Sequence, residues 1–318
     1  MAVVIPTARR EARLALALEA LAAQTLAPER FEVVVVRAEG GGDLAPVPAG
    51  LPVRFLGAAR DSGPAEKRNL GWRATTAPLV AFTDDDCRPR PDWLERLLAA
   101  ASREAGGFLL QGRTEPDPDE VRRLHGLAVT QAIPQLSGWY ETCNIAYPRD
   151  LLERLEGFDE AFAGADRSSY PVGGEDTDLG LRATAAGAVA RFVDDAVVRH
   201  AVHSRGLARA LRETRRWRSL ANVLARHPGQ RAALQAGLFG RRAHWAILLA
   251  ALALPLRRRP PLALVAALPY LAHHLRGYPV TARGIGRGFA DLPARALVDA
   301  AEVAVTAAAG ARHRVPVL

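Results

Sequence analysis

Residues 1 to about 200 alternate short β-branched runs with alanine-rich stretches of helical periodicity, and few folds accept that alternation. Ala2–Pro6 and the runs at 31–36 and 78–83 read as buried strands. Between the first two, residues 11–24 place Leu14, Leu18 and Leu21 on one helical face. A helix at 92–101 and a brief strand at 189–193 continue the theme. Strand, helix, strand in this order predicts an α/β layer with at least some parallel pairing. With 318 residues, 49% of them hydrophobic, the chain can bury one large core, or a domain and an appendage. That apolar content excludes a wholly disordered chain. The only cysteines, Cys87 and Cys143, exclude a disulfide scaffold and show no paired spacing for structural zinc.

Three charged constellations interrupt the pattern. The strand at 78–83 runs directly into Asp84-Asp85-Asp86. Adjacent like charges repel unless a cation or solvent screens them, and strand ends in α/β sheets form ligand crevices. Continued alternation would put Asp84 and Asp86 on one side and Asp85 on the other. Carboxylates so spaced suit Mg2+ or Mn2+; a solvated acidic loop capping the helix near Asp92 is the plainer reading. The second constellation is Gly173-Gly174-Glu175-Asp176-Thr177-Asp178, leading into a helix read over 177–186 and closed by Gly187. Carboxylates in a first helical turn stay ionised, as a general base must, yet an ordinary helix cap uses the same residue types. The third, Gly63 to Gly71, sets Lys67 beside Arg68 at a helix start. That place suits phosphate or nucleobase contacts, or is a surface terminus.

After residue 205 the texture changes. An arginine-rich helix at 207–225 stops at His227-Pro228-Gly229. Apolar runs at 245–256 and 262–271 follow, split by Arg257-Arg258-Arg259-Pro260-Pro261. Each is shorter than the ~18–20 residues of a spanning helix. Arg241, Arg242 and Arg276 complete the bracket. A membrane-associated hairpin over about 243–275 accounts for this pattern, with arginines meeting anionic headgroups. A buried helical pair or a dimer interface accounts for it as well. The net charge of +8 points to anionic partners, and all basic residues but Lys67 are arginine. No aromatics interleave a basic strand, so nucleic acid ranks last. Residues 1–6 lack the charged-then-apolar pattern of a secretory signal, which leads us to expect folding in the cytoplasm.

Over residues 2–228 these elements together resemble the family 2 glycosyltransferases. Val3-Val4-Ile5-Pro6-Thr7 is similar to the family's opening strand, and Gln24 to the glutamine ending its first helix. Lys67-Arg68-Asn69-Leu70-Gly71 resembles its arginine–asparagine–glycine segment, and Asp84-Asp85-Asp86 its metal-binding aspartates. Asn144-Ile145-Ala146-Tyr147-Pro148-Arg149 with Gly157-Phe158-Asp159-Glu160 resembles its acceptor-side segment. Gly174-Glu175-Asp176 matches its acidic base motif. His200, after Val197-Val198-Arg199, sits where many members carry a metal- or diphosphate-contacting histidine.

The resemblance implies an α/β GT-A (Rossmann-like) fold: a mixed, mostly parallel sheet with flanking helices over 1–205. A C-terminal helical, partly hydrophobic appendage follows over 206–318. It implies a metal-dependent, inverting glycosyltransferase that uses Mn2+ or Mg2+ and a nucleoside-diphosphate sugar, with a glycan or lipid-linked acceptor. Asp176 would be the catalytic base, and Asp86 and His200 would hold the metal. Pro6, Thr7, Glu39, Arg68, Asp84, Asp85, Trp139, Asn144 and Glu175 would bind substrate. Trp139 and Tyr140 can stack on a sugar or isoprenoid, or pack as ordinary aromatics. The expected site of action is the cytoplasmic side of the bacterial cell membrane, or the cytoplasm, in envelope glycan or glycolipid synthesis; a homodimer is compatible with this.

The chain departs from the family in three places. Where members carry acidic residues and Gly-Ser, Val36 leads into Arg37-Ala38-Glu39-Gly40-Gly41-Gly42, so Glu39 would replace the acidic contact. Ala8-Arg9 replace the usual asparagine after Pro-Thr. Glu213-Thr214-Arg215-Arg216-Trp217 is similar to the Gln-x-x-Arg-Trp signature of processive members with Glu for Gln, and Arg216 reads as solvated. Two rival readings stand beside this one. A sugar nucleotidyltransferase usually opens on a glycine-rich phosphate loop, and Thr7-Ala8-Arg9-Arg10 has no glycine. A non-catalytic membrane-bound scaffold would bind nucleotide sugar without turnover.

Overall fold

A computed structural model describes residues 1–7, 10–39, 46–59, 62–124, 126–163 and 173–318. Ala8, Arg9 and Gly40 to Gly42 lie outside the described residues. The chain forms two compact units, one of Met1–Val121 with Thr130–Val202, the other of Arg122–Val129 with His203–Leu318.

In the first unit the chain runs β1 (Ala2–Pro6), α1 (Glu11–Ala22), β2 (Glu32–Ala38), β3 (Val53–Ala58), α2 (Pro64–Arg73) and β4 (Leu79–Phe82). It continues through β5 (Cys87–Pro89), α3 (Trp93–Ala101), β6 (Phe108–Pro116), β7 (Ile145–Pro148), α4 (Arg149–Arg154), α5 (Glu175–Ala185) and β8 (Val189–His200). These strands make one eight-stranded sheet in the order β3-β2-β1-β4-β7-β6-β8-β5. The β3-β2-β1-β4 half is all parallel, so the C-terminal ends of β1, β2 and β4 share one edge. β7 pairs antiparallel with β4 and β6, β5 pairs antiparallel with β8, and β6 and β8 are parallel.

Helices cover both faces, which is why β1 and β2 are continuous apolar runs. Val3, Ile5, Val33 and Val35 pack under Leu14, Leu18, Leu21, Trp93 and Leu97. The alternate residues Val4, Val34 and Val36 pack with Trp72, Phe82, Tyr147 and Phe158 on the other face. Burying each such side chain contributes about 1.5–3 kcal/mol. β1 matches its sequence expectation, β2 runs on to Ala38, and β4 ends earlier, at Phe82. The expected strand at 189–193 is the start of the twelve-residue β8, whose outer positions are too polar to read as buried.

The second unit is helical: α6 (Leu207–Glu213), α7 (Arg218–Arg226), α8 (Arg242–Ala251), α9 (Pro260–Leu275) and α10 (Ala282–His313). The helix expected over 207–225 is broken by a 3-10 turn at Thr214–Trp217. There the Thr214 hydroxyl donates to Leu211 O at 2.7 Å, while Arg205 and Arg209 hold Glu213 from the preceding side. Arg216 is exposed, as expected. Among the described residues no helix is long and apolar enough to cross a membrane.

Candidate active site

The C-terminal ends of β1 and β4 lie side by side and deliver Pro6, Thr7 and the three aspartates to one place. β4 stops at Phe82, so the aspartates occupy a turn and the alternation expected for them fails. Asp84 turns toward α2, where Arg68 Nη2 donates to its Oδ1 at 2.9 Å. Asp85, buried, accepts from Thr7 Oγ1 at 2.6 Å and meets Arg10 Nε at 3.3 Å. Asp86 bonds the same Arg10 through Oδ2. Asp85 and Asp86, not Asp84 and Asp86, therefore share a partner. Burial, reinforced by Asp86, pushes the Asp85 carboxyl up to about 6 against the pull of Arg10 and the Thr7 hydroxyl. The aspartates do not cap α3; Gln24 Oε1 accepts from Leu94 N at 3.0 Å and does so instead.

The arginine–asparagine–glycine segment on α2 divides into three tasks. Arg68 is buried and also donates Nη1 to Glu175 Oε1 at 2.9 Å, bridging the aspartate turn to α5. Asn69 Nδ2 donates to Phe158 O, and its Oδ1 accepts from Phe158 N. Gly71 lies against the sheet, where a Cβ would overlap the Val4 side chain. Lys67 differs from its expectation: it is buried, and its Nζ donates to Thr7 O at 2.9 Å, so it holds the turn rather than facing a ligand.

α5 begins at Glu175 because Gly174 takes φ +111°, a left-handed conformation glycine adopts without a side-chain clash. Glu175 is buried and Asp176 partly exposed. Asp176 Oδ1 accepts from Thr177 N at 2.8 Å, and Thr177 Oγ1 donates to Trp139 O at 2.7 Å. This brings half-buried Trp139 beside the carboxylates. Tyr140, next in the chain, is left-handed at φ 55°, a strained state for a non-glycine residue. Burial, then the charge of Glu175, pushes the Asp176 carboxyl up to about 7, opposed by Arg68 and the Thr177 N–H.

His200 ends β8, opposite Cys87 in the register. Its Nδ1 lies 2.9 Å from Ala201 O, a contact that needs a hydrogen on that nitrogen. In the neutral ring Nε2 then turns a lone pair toward Asp86 Oδ1 at 3.6 Å. Asp86, Cys87 and His200 form the cluster able to hold a metal among the described residues. Burial pushes the Cys87 thiol well up, which leaves an oxygen and a nitrogen as the fitting donors.

Two more residues are expected to meet substrate. Asn144 is fully buried, with Nδ2 donating to Arg113 O and Ala196 O, both at 2.8 Å, while Oδ1 accepts from Trp93 Nε1. Its amide is a brace between strands, a correction to its expected contact with substrate. Glu39 is exposed just past β2, with its backbone N–H on Ala58 O. Arg10 was missed because its partners lie more than seventy residues on.

Residues 2–170 match the family model described as Glycosyl transferase family 2. The chain belongs to this family. It is similar to the validoxylamine A glucosyltransferase of Streptomyces hygroscopicus subsp. limoneus, 30% identical over 227 residues, covering 59% of this chain and 48% of that one. The pre-mycofactocin glycosyltransferase of Mycobacterium tuberculosis is 28% identical over 199 residues, covering 59% of this chain and 40% of its own. This family 2 chain thus spans about half the length of the curated relatives it matches. Its fold is shared by the mannosyltransferase PcManGT from Pyrobaculum calidifontis in complex with GDP-Man and Mn2+. That likeness has a TM-score of 0.56 at 21% identity and covers 96% of this chain and 85% of that one. TarS of S. aureus in complex with UDP-GlcNAc gives 0.52 at 16% identity, covering 99% and 92%.

Proposed function

We propose that this chain transfers a sugar from a nucleoside-diphosphate sugar to an acceptor hydroxyl with inversion, assisted by a divalent cation. The observation that carries the reading is the Asp84–Arg68–Glu175 chain of ion pairs, which links the aspartate turn to Asp176 at the head of α5. In this reading Asp176 accepts the acceptor's proton as its oxygen attacks the anomeric carbon. The bond from that carbon to the diphosphate oxygen breaks on the opposite face, and its electron pair leaves with the diphosphate. Base assistance of this kind contributes on the order of 10²–10⁴-fold. A carboxyl near 7 holds a proton tightly enough to take one, yet is largely ionised above neutrality.

Asp86 and His200 are the residues that would hold Mn2+ or Mg2+, which when bound supplies positive charge to the departing diphosphate. Arg68 adds positive potential beside Asp84, and Glu175 orients the acceptor side. Pro6, Thr7 and Asp85 line the donor end, Glu39 takes the ribose or base contact, and Trp139 offers a face to a sugar. The two solved structures of like fold hold GDP-Man with Mn2+ and UDP-GlcNAc, so nucleotide sugars are the donors to test first. The acceptor is a glycan or lipid-linked hydroxyl at the cytoplasmic side of the bacterial cell membrane, in envelope glycan or glycolipid synthesis.

A screen of UDP-, GDP- and dTDP-sugars with Mn2+ tests the reading through donor hydrolysis. Metal-dependent release of nucleoside diphosphate from one of them is expected. Donor binding by calorimetry without turnover toward any acceptor would make the chain a scaffold and overturn the reading.

A further inference from the structure

α8 and α9 pack against each other, and their outward faces are built the wrong way round for water. On α9 the buried positions Ala266, Tyr270 and His274 recur every four residues, as an inner face should. The opposite side carries Leu264, Val265 and Leu268, exposed at 60%, 67% and 55%. On α8, Trp245 and Leu248 lie along the exposed side, and Leu252 just past the helix end continues their spacing. Water-facing helices normally put charged residues there, and a contiguous apolar face on two adjacent helices marks a partner.

Charge says which partner. Between Glu213 and Asp291 the chain carries thirteen arginines and no acidic residue. Arg257, Arg258 and Arg259 stand together, all exposed, in the connection between the two helices. A protein partner with an apolar groove would explain the leucines but not seventy-odd residues without a single acid. An apolar layer beneath a sheet of phosphodiester anions explains both.

Length says how the helices lie. α8 has 10 residues and α9 has 16. At 1.5 Å per residue they are about 15 and 24 Å long, short of the ~30 Å hydrocarbon core. Helices too short to cross, with one apolar side turned outward and charge confined to the segments that flank them, rest in the plane of the interface.

We propose that the outward face of α8 and α9 is an in-plane docking surface for an anionic phospholipid bilayer. Leu264, Val265 and Leu268 enter the acyl boundary, and Arg257, Arg258 and Arg259 meet the phosphates. The proposal rests on the membrane location proposed above, to which it adds the surface and the lipid charge.

The test is cosedimentation of the full chain with vesicles of phosphatidylcholine alone and of phosphatidylcholine with phosphatidylglycerol. Binding to the mixed vesicles, weaker at high salt and weak on the neutral ones, is expected. The triple variant Arg257→Ala, Arg258→Ala, Arg259→Ala should lower partitioning on the order of 100-fold, the loss of three interfacial cations. Leu264→Glu with Leu268→Glu should abolish binding on both vesicle types. Donor hydrolysis without vesicles is measured on each variant, so a failure of the catalytic reading is seen separately from a failure of docking. Circular dichroism melts confirm that each variant is folded. Undiminished vesicle binding by both variants overturns the proposal. So does a wild-type dimer in sedimentation equilibrium that the leucine variant dissociates while vesicle binding persists, because a second copy then covers this face.

Discussion

Replacing Asp176 by asparagine should make the protein more stable at alkaline pH while removing transfer. Asparagine keeps the shape and the acceptor oxygen that Thr177 N uses at 2.8 Å, so α5 retains its first-turn bond. What changes is the charge. Burial and Glu175 move the Asp176 carboxyl from 3.8 to about 7. Its folded value thus lies above its unfolded one. Below about pH 4 the carboxyl is neutral in both states and costs nothing. As pH rises toward 7 the unfolded chain ionises and the folded chain does not, so stability falls until both are ionised. A tenfold change in proton affinity is worth about 1.4 kcal/mol, so the ionised form is disfavoured by at most about 4 kcal/mol. Glu175 and Arg68 readjust when the charge goes, which brings the expected gain to about 2 kcal/mol.

Urea melts of the wild type and Asp176→Asn at pH 5 and pH 8 measure this directly. The variant should gain about 2 kcal/mol at pH 8 and less than half of that at pH 5, where the folded carboxyl keeps its proton and only the unfolded one has lost it. Transfer should fall by about 10²–10⁴-fold. In the wild type, kcat/KM should rise with pH through about 7, because the ionised carboxylate is the active form. A variant no more stable than wild type at pH 8 would refute the electrostatic account. A variant that transfers sugar at the wild-type rate would refute the role as base.

Arg68→Met leaves Glu175 buried without its 2.9 Å partner, and should cost about 3–5 kcal/mol in a denaturant melt. Adding Glu175→Gln should recover part of that loss. Gly71→Ala forces a methyl group into Val4 and toward Val36, and a thermal melt should record a loss of about 1–3 kcal/mol. Asp86→Asn and His200→Gln should each weaken Mn2+ binding, followed by the metal's electron paramagnetic resonance, while a denaturant melt without metal reads the cost of the lost buried contacts separately.

The parts legible in the sequence are those whose signal is local. β1 and β2 are buried on both faces, so each is an unbroken run of valine and isoleucine that no other element would carry. β6 begins as such a run, Phe108-Leu109-Leu110, and then turns polar at Gln111, Arg113 and Glu115, so its length is invisible to a hydrophobic pattern. β3 is an edge strand, half exposed, and reads as a loop for the same reason. Three adjacent aspartates at a strand end are conspicuous in any chain, but which way each turns depended on where β4 stopped. Once the strand ends at Phe82, Asp84 is free to meet α2 while Asp85 and Asp86 meet the start of α1.

Polar residues in the family's motifs show the harder limit. Arg68, Asn69, Lys67 and Asn144 are all buried and all make internal hydrogen bonds. From sequence alone a buried amide that braces strands and one that meets a ligand look alike, since both are polar residues beside an apolar strand. Only the partners separate them: Asn144 meets two carbonyls and an indole N–H, none of which is part of the aspartate turn. Arg68 instead joins two carboxylates that no fold needs side by side. One arginine draws together a buried acid, Glu175, and a half-buried one, Asp84, and the cost of burying Glu175 as an ion falls on the fold. Acids held together in this way are what the proposed reaction needs, and that asymmetry between bracing and convergence is why the candidate active site is drawn around Arg68 and not around Asn144.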